Sequence, residues 1–456
     1  MRLRSSRTND VDGSTTAYME RRARVATIGR MPISEASKSW RVGRTNESLY
    51  TQRGTAPSHI SLAQGRFPSP NVAASTDAEL EVVRKGMLFE TLRARARGDS
   101  PPALPSRVTV KITGRCNLRC DFCEIGRSHG GSELPYEAIL RLLSFAREYG
   151  LRVFLWGGEP FVHSRIWDVL THCEHVGQRV SIVTNGTVLA SLSEERQRLL
   201  NRCISMMSLS IDAAAERDHD SVRGVPGTFR RASTYLRSPG RSHSLGLNTV
   251  LAVDFSNARE MIQFAHDNNT SVNFQPIIFE TNFPELERRT WKDRARERMG
   301  EMASNRHVLE EALEFARAKR VGTNLRLVLF YIEAYYSNAG GEEYFFDELL
   351  PDFHCYTPSN ALVVDERGRI MPCTLVQGEA DIFQDDWLQT WRDQADRFRR
   401  DWAAGRRPSA CRSCSCHFAE NLRCNVLARP LVNRRQIGWL SAYSATRWLA
   451  GEGRIQ

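Results

Sequence analysis

The stretch RVTVKITGRCNLRCDFCEI, residues 107–125, decides how this 456-residue chain is read. Its first part, VTVKI at 108–112, is a short β-branched run of the kind that forms a buried strand. Its second part sets Cys116, Cys120 and Cys123 at CxxxCxxC spacing immediately after that strand. Three thiolates on one short loop can hold three irons of a four-iron four-sulfur cluster, because soft sulfur donors suit iron and the loop is tight enough to wrap one cube. The fourth iron then lacks a protein ligand, and an open coordination position is what separates a catalytic metal site from a closed structural one. Two other readings stand beside this one: a zinc site completed by a residue such as His129, or three buried structural cysteines. The interleaved Asn117, Arg119 and Asp121 argue against an apolar packed loop, and zinc sites usually bring their cysteines in CxxC pairs.

Outward from this stretch the pattern repeats. Apolar runs at 108–112, 152–156, 180–184, 206–211, 246–252 and 272–278 alternate with helical segments, giving six βα-like units. Pro135 opens one helix, with Ile139, Leu142, Leu143 and Ala146 on one stripe and Gly150 as its stop; Ser256 precedes another that runs to Asn268. Strands alternating with helices of this length imply an α/β fold with a parallel sheet and right-handed crossovers, spanning 107–285 as a partial (βα)6 TIM-like barrel. In such sheets functional groups collect at the C-terminal ends of the strands. The charged segment 286–354 reads as a helical connection, with Leu309, Leu313 and Ala316 as a buried stripe.

The cysteine loop, together with four motifs C-terminal to it, resembles the radical S-adenosylmethionine (radical SAM) superfamily. Phe122 matches the aromatic before the third cysteine, whose backbone approaches the adenine of SAM in that family. Gly157-Gly158-Glu159-Pro160, after the second strand, is similar to the family's GGEP, which holds the methionine amino group; glycines admit a ligand close to the backbone and a carboxylate pairs with an ammonium. Thr184-Asn185-Gly186 ends the third strand and Ser208 to Asp212 forms the fourth, both similar to stretches lining the nucleoside pocket, with Ser210 and Asp212 as candidates for the ribose hydroxyls. The stretch His219 to Gly224 resembles the loop of the peptide-maturating branch, where Arg223 would meet the SAM carboxylate. Taken singly, each of these polar residues also fits a cap, a turn or a surface ion pair. The resemblance implies that SAM is reductively cleaved to methionine and a 5′-deoxyadenosyl radical, which abstracts hydrogen from a peptide or a small biosynthetic intermediate. It also implies an electron donor of the flavodoxin or ferredoxin type. Trp156 and Phe161 beside the GGEP turn read as core or pocket wall.

A second cysteine group, Cys355, Cys373, Cys411, Cys414, Cys416 and Cys424, lies in 355–428. Cys355, twelve residues, Gly368, four residues and Cys373 resemble the opening of a SPASM domain, the auxiliary-cluster extension of the superfamily. The remaining spacing departs from that domain, and two fully cysteine-ligated cubanes need more thiolates than these six. One auxiliary 4Fe-4S cluster of the shortened twitch kind is favoured, with Cys355, Cys373, Cys411 and Cys414 as its ligands. Two clusters with open positions, or a zinc site including His417, are the alternatives. Between Cys355 and Cys373 the run ALVVDERGRIMPC (361–373) reads as two strands joined at Glu366-Arg367-Gly368. Cys173 and Cys203, inside or at the ends of helices, read as small buried hydrophobes.

Composition narrows the rest. The chain is 41% hydrophobic, enough for real cores, and its longest apolar stretches fall short of the ~20 residues that cross a bilayer. With no apolar leader visible, its eleven cysteines suggest a reducing cytoplasm. The net charge of +10 is uneven: residues 1–106 hold 17 basic and 10 acidic residues, leaving +3 for the remainder. Only five of the 63 basic residues are Lys, a skew that reads as GC-rich coding and does not point to a nucleic-acid partner. Residues 1–76, rich in Ser, Thr, Arg and Gly and without period, read as a disordered basic tail. Residues 77–106 read as a helix and linker, and 429–456 as a C-terminal helix. The reading from a different class is a non-catalytic zinc-binding interaction protein.

Overall fold

The computed structural model describes residues 104–120, 122, 123, 125, 131–252, 255–276, 305–329, 331, 354–378, 380–408, 411 and 421. All of them lie in the second of two compact units, Ser69–Gln456. The expected tail, the helix at 77–97, the C-terminal helix, His129, Cys414, Cys416 and Cys424 fall outside the described residues.

Six parallel strands succeed one another in chain order: β1 (Arg107–Thr113), β2 (Arg152–Gly157), β3 (Val180–Thr184), β4 (Ile204–Ser210), β5 (Ser244–Val250) and β6 (Ser271–Gln275). Between them run α1 (Tyr136–Glu148), α2 (Ile166–His175), α3 (Glu194–Cys203), α4 (Glu216–Arg223), α5 (Thr228–Leu236) and α6 (Asn257–Asp267). Strands in sequential order, each returning through a helix, form the α/β half-barrel that the βα alternation implies. Val108, Val110 and Ile112 of β1 join the helix-side core with Ala138, Ile139, Leu142 and Leu143 of α1. Full burial of each such side chain contributes roughly 1.5–3 kcal/mol. The alternate residues of β1, Thr109, Lys111 and Thr113, therefore belong to the opposite face. The α1 stripe and its Pro135 start match the sequence reading, and Gly150 takes φ 61° just past the helix end.

The sheet does not end at β1. A strand β7 (Ala361–Val364) pairs parallel to it, Val110 opposite Val364, and β8 (Arg369–Met371) and β9 (Ala380–Asp381) continue antiparallel. The turn between β7 and β8 falls at the expected Glu366-Arg367-Gly368, with Gly368 at φ 85°. Lys111 Nζ meets Glu366 Oε2 at 3.0 Å across this join. At the other edge, α7 (Arg306–Lys319) buries Leu309, Ala312 and Ala316. A last helix, α8 (Trp387–Ala403), anchors the hairpin: Trp391 Nε1 donates to Ala361 O at 3.1 Å, and the Trp387 ring meets Phe145 of α1 edge-on. The Asn324 side chain occupies both the N–H and the C=O of Phe274 on β6, at 2.7 and 2.8 Å, covering part of an edge that would otherwise recruit a strand.

Candidate active site

Parallel strands bring the segments after β1, β2, β3 and β4 to one rim of the half-barrel. The cysteine loop leaves β1 there. Within it, Leu118 N donates to Cys116 Sγ at 3.4 Å and Cys123 N to Cys120 O at 3.2 Å, a tight wrap in which a backbone N–H already faces sulfur. None of the three cysteines forms a disulfide. Burial pushes the Cys116 thiol up to about 11 and raises that of Cys120, and neighbouring sulfurs of the loop add to both shifts. Three soft sulfur donors on one loop fit an iron–sulfur cluster, whose positive irons take up the thiolate charge as protons leave. Among the described residues no three His, Cys, Asp or Glu side chains converge on a single ion. The thiolates of a cubane sit on separate iron corners and need no such convergence.

The GGEP turn after β2 clasps this loop through backbone. Gly158 N donates to Thr113 O and Glu159 N to Arg115 O, each at 2.8 Å. Glycine is required by the approach: a Cβ at Gly158 would lie 2.0 Å from Arg115 O, and one at Gly157, where φ is 145°, 2.3 Å from Thr113 O. Glu159 turns inward. Its Oε1 accepts from Thr184 Oγ1 at 2.7 Å and Phe161 N at 3.1 Å, and its Oε2 from Asn185 N at 2.7 Å. Burial pushes this carboxyl up to about 7 despite those donors. The sequence reading assigned Glu159 a ligand-facing role; here it joins the ends of β2 and β3, with Pro160 and Phe161 buried beside it.

Asn117 makes the next tie. Its Nδ2 donates to Thr187 Oγ1 and its Oδ1 accepts from Asn185 Nδ2, both at 2.8 Å, so the loop is stitched to the end of β3. Arg119 N donates to Arg223 O at 3.1 Å, linking the loop to the C-terminus of α4. There Arg223 forms a buried two-pronged pair with Asp212, Nε to Oδ2 at 2.6 Å and Nη2 to Oδ1 at 3.0 Å. Its remaining Nη1 lies 3.8 Å from Cys120 Sγ, and its guanidinium 5.4 Å from the Phe122 ring. Burial works against the Arg223 charge, but Asp212 and Cys120 outweigh it and hold the guanidinium above its ordinary value. Asp212 Oδ1 also accepts from Val250 N at 2.9 Å, and Asp212 N donates to His219 Nδ1 at 3.1 Å. Burial, and then the nearby Arg223 charge, push His219 down to about 4. Ser210 is buried at the end of β4.

Gly158, Glu159, Asn185 and Arg223 are thus bonded to the cysteine loop or the strand end leading into it, Phe122 lies against Arg223, Asp212 and Arg223 pair with each other, and Glu159 is bonded to Thr184 and Asn185. Sequence reasoning missed the roles of Asn117, His219 and Asn257. Asn257 donates to Asp212 O and Val250 O at 2.8 and 2.9 Å, pinning the ends of β4 and β5. Its place as the first residue of a helix expected to begin after Ser256 was the available signal.

Residues 110–252, from mid-β1 to just past β5, match the model of the radical SAM superfamily. That segment is a radical SAM domain. Over 130 residues this radical SAM segment is 29% identical to the AdoMet-dependent heme synthase of Methanosarcina barkeri, covering 28% of this chain and 37% of that protein. Over 131 residues it is 29% identical to the PqqA peptide cyclase of Methylocella silvestris, covering 28% and 34%. The solved structure of Streptococcus suis SuiB bound to precursor peptide SuiA is similar at 18% identity and a TM-score of 0.47, over 66% of this chain and 67% of that one. The matched stretch spans well under half of the curated relatives' length.

Outside the radical SAM segment, three of the six later cysteines are described. Cys373 Sγ accepts from Leu375 N at 3.4 Å, the same residue-plus-two N–H to sulfur contact as in Cys116. Cys355 Sγ faces Asn421 Nδ2 at 3.6 Å, and Asn421 Oδ1 accepts from Tyr356 N at 2.6 Å. Cys411 is buried, as are Cys173 and Cys203, whose thiols burial pushes far up, that of Cys203 to about 12. Among the described residues no helix is long and apolar enough to cross a membrane.

Proposed function

We propose that this radical SAM chain is an oxidoreductase acting on a peptide or a small biosynthetic intermediate. The observation that carries it is the clasp between the Cys116–Cys120–Cys123 loop and the GGEP turn, Glu159 N to Arg115 O at 2.8 Å, which holds three cysteines beside a glycine-lined turn. When bound, the cluster and S-adenosyl-L-methionine supply a 5′-deoxyadenosyl radical that abstracts hydrogen from substrate. In this reading Cys116, Cys120 and Cys123 hold the cluster, and Phe122, Gly157, Gly158, Pro160, Thr184, Asn185 and Ser210 border the cofactor. Glu159, Asp212 and Arg223 act behind that surface, fixing the strand ends that carry it and excluding water. An auxiliary 4Fe-4S cluster draws its ligands from Cys355, Cys373, Cys411, Cys414, Cys416 and Cys424. The N–H to sulfur contact at Cys373 favours ligation over a packing role there. One relative's name specifies a peptide and another a heme, which is why both substrate classes stand. A flavodoxin- or ferredoxin-type donor in the cytoplasm would supply the electron.

The test is anaerobic reconstitution with iron and sulfide, then addition of SAM and a low-potential reductant. The expected result is 5′-deoxyadenosine in wild type and none with Cys120→Ala. Tight zinc binding with no 5′-deoxyadenosine would return the chain to the interaction-protein class. Iron and sulfide counts in a protein lacking the three loop cysteines would report the auxiliary cluster.

A further inference from the structure

We infer that Arg223, braced by Asp212, donates a hydrogen bond to the Cys120 sulfur and so sets the reduction potential of the cluster held by this loop. The inference rests on the cluster reading under the proposed function. Arg223 could instead reach forward to a SAM carboxylate, the role its sequence context suggests, but the geometry turns it the other way. Two of its nitrogens are committed to the two oxygens of Asp212, and the planar fork then directs Nη1 at Cys120 Sγ, 3.8 Å away. Asp212 is itself fixed by Val250 N on its carboxylate and by His219 on its backbone N–H. His219 Nδ1 accepts that bond, so the proton of the neutral ring sits on Nε2, which is buried without a partner among the described residues. The ring packs against Phe229 and braces Asp212 from outside the cysteine loop.

The coupling to the loop is also backbone-deep. Arg223 O accepts from Arg119 N, the residue before Cys120, and Gly224 comes next at φ 68° with no room for a Cβ, which would meet Arg119 O at 2.4 Å. The Phe122 ring covers the guanidinium. The Arg223 side chain is 9% exposed and that of Asp212 3%, so water screens this pair little. A hydrogen bond and a positive charge at a ligating thiolate stabilise the reduced, more negative cluster and raise its potential. Asp212 tempers that effect by balancing part of the charge. Arg223 and Asp212 are thus positioning residues with opposite influence on one couple.

The experiment is a redox titration monitored by electron paramagnetic resonance, on reconstituted full-length protein without SAM. The relevant signal is the one that Cys120→Ala removes. With Arg223→Gln the ratio of reduced to oxidised cluster at a fixed potential should fall about tenfold, equivalent to ~59 mV for one electron. With Asp212→Asn the ratio should rise. A purely structural role predicts no such opposition of sign. Unchanged potentials in both variants, or shifts in the same direction, overturn the inference. So does a loss of SAM binding in Arg223→Gln with the SAM-free potential unmoved, because that is the behaviour of a carboxylate clasp. If Arg223→Gln does not fold, Asp212→Asn decides alone: a rise supports the inference, and no change or a fall overturns it. A wild type that takes up no iron and sulfide refutes the cluster reading itself, and the inference with it.

Discussion

Replacing Gly158 with alanine should break the clasp between the two halves of the site. The new methyl would lie 2.0 Å from Arg115 O, 2.5 Å from Arg115 C and 3.1 Å from Ile125 Cγ2. Carbon atoms in contact sit about 3.5–4.0 Å apart, so one backbone or the other must move by roughly 1 Å or more. The atoms in the way are main chain, directly before Cys116, and cannot turn aside as a side-chain tip would. Overpacking of this kind costs typically about 1–3 kcal/mol. The displacement also lengthens the Glu159 N to Arg115 O bond, now 2.8 Å, whose loss adds about 1 kcal/mol. We therefore expect a destabilisation of about 2–4 kcal/mol in urea unfolding, with an unchanged m-value. Reconstituted iron content should fall, because Cys116 is moved relative to Cys120 and Cys123. A Gly158→Ala protein within about 0.5 kcal/mol of wild type and with full iron content would refute the steric argument.

Asn117→Ala removes two side-chain bonds of 2.8 Å and leaves partners on Asn185 and Thr187 unsatisfied, so it should cost about 1–3 kcal/mol and speed iron loss to a chelator. Stability should also depend on pH through three buried groups. Burial holds His219 and His243 down at about 4, so the unfolded chain takes protons at about 6.5 that the folded chain refuses, and stability is lost as pH falls from 6.5 toward 4. Glu159, pushed up to about 7, works the other way, its contribution being lost as pH rises from 4.5 through 7. Two imidazoles outweigh one carboxyl, and unfolding at pH 4.5 and 6.5 should differ by about 2 kcal/mol in favour of pH 6.5. Replacing His243, which lies between Tyr235 OH and Asn201 Oδ1, by Asn should nearly flatten that difference; an undiminished slope would contradict it. The Cys173→Ala/Cys203→Ala pair should keep wild-type iron and lose only about 1–2 kcal/mol, and iron loss would assign these cysteines a role that their burial does not suggest.

How much of this was legible in the sequence varied with the range of the interaction. Strands buried on both faces read as short apolar runs, and VTVKI and VSIVT announced β1 and β3 to within a residue at each end. The fourth strand begins at Ile204 where the apolar run suggested 206, because Ile204 pairs with Val180 while Ser205 is skipped in the register before Met206 pairs with Ser181. The cysteine loop and the GGEP turn were legible because each is local and its chemistry is carried by adjacent residues. The inward turn of Glu159 was not, since it is set by donors on Thr184 and Asn185. Nor was the Asp212–Arg223 pair, in which each residue alone resembles a ligand contact and their pairing is visible only in the folded chain. The pairing of β7 with β1 had no local signal at all.

That last pairing has a consequence during synthesis. Ser106 N donates to Asn360 O just before the two strands meet, across a separation of 254 residues. At roughly 5–20 residues per second, a ribosome needs on the order of ten to fifty seconds to make the missing neighbour. Throughout that interval the strand leading into the cysteine loop has one naked edge, open to any stray extended chain. Iron delivered early would meet a loop whose leading strand is paired on the β2 side alone, and delivery after release would meet the finished cradle.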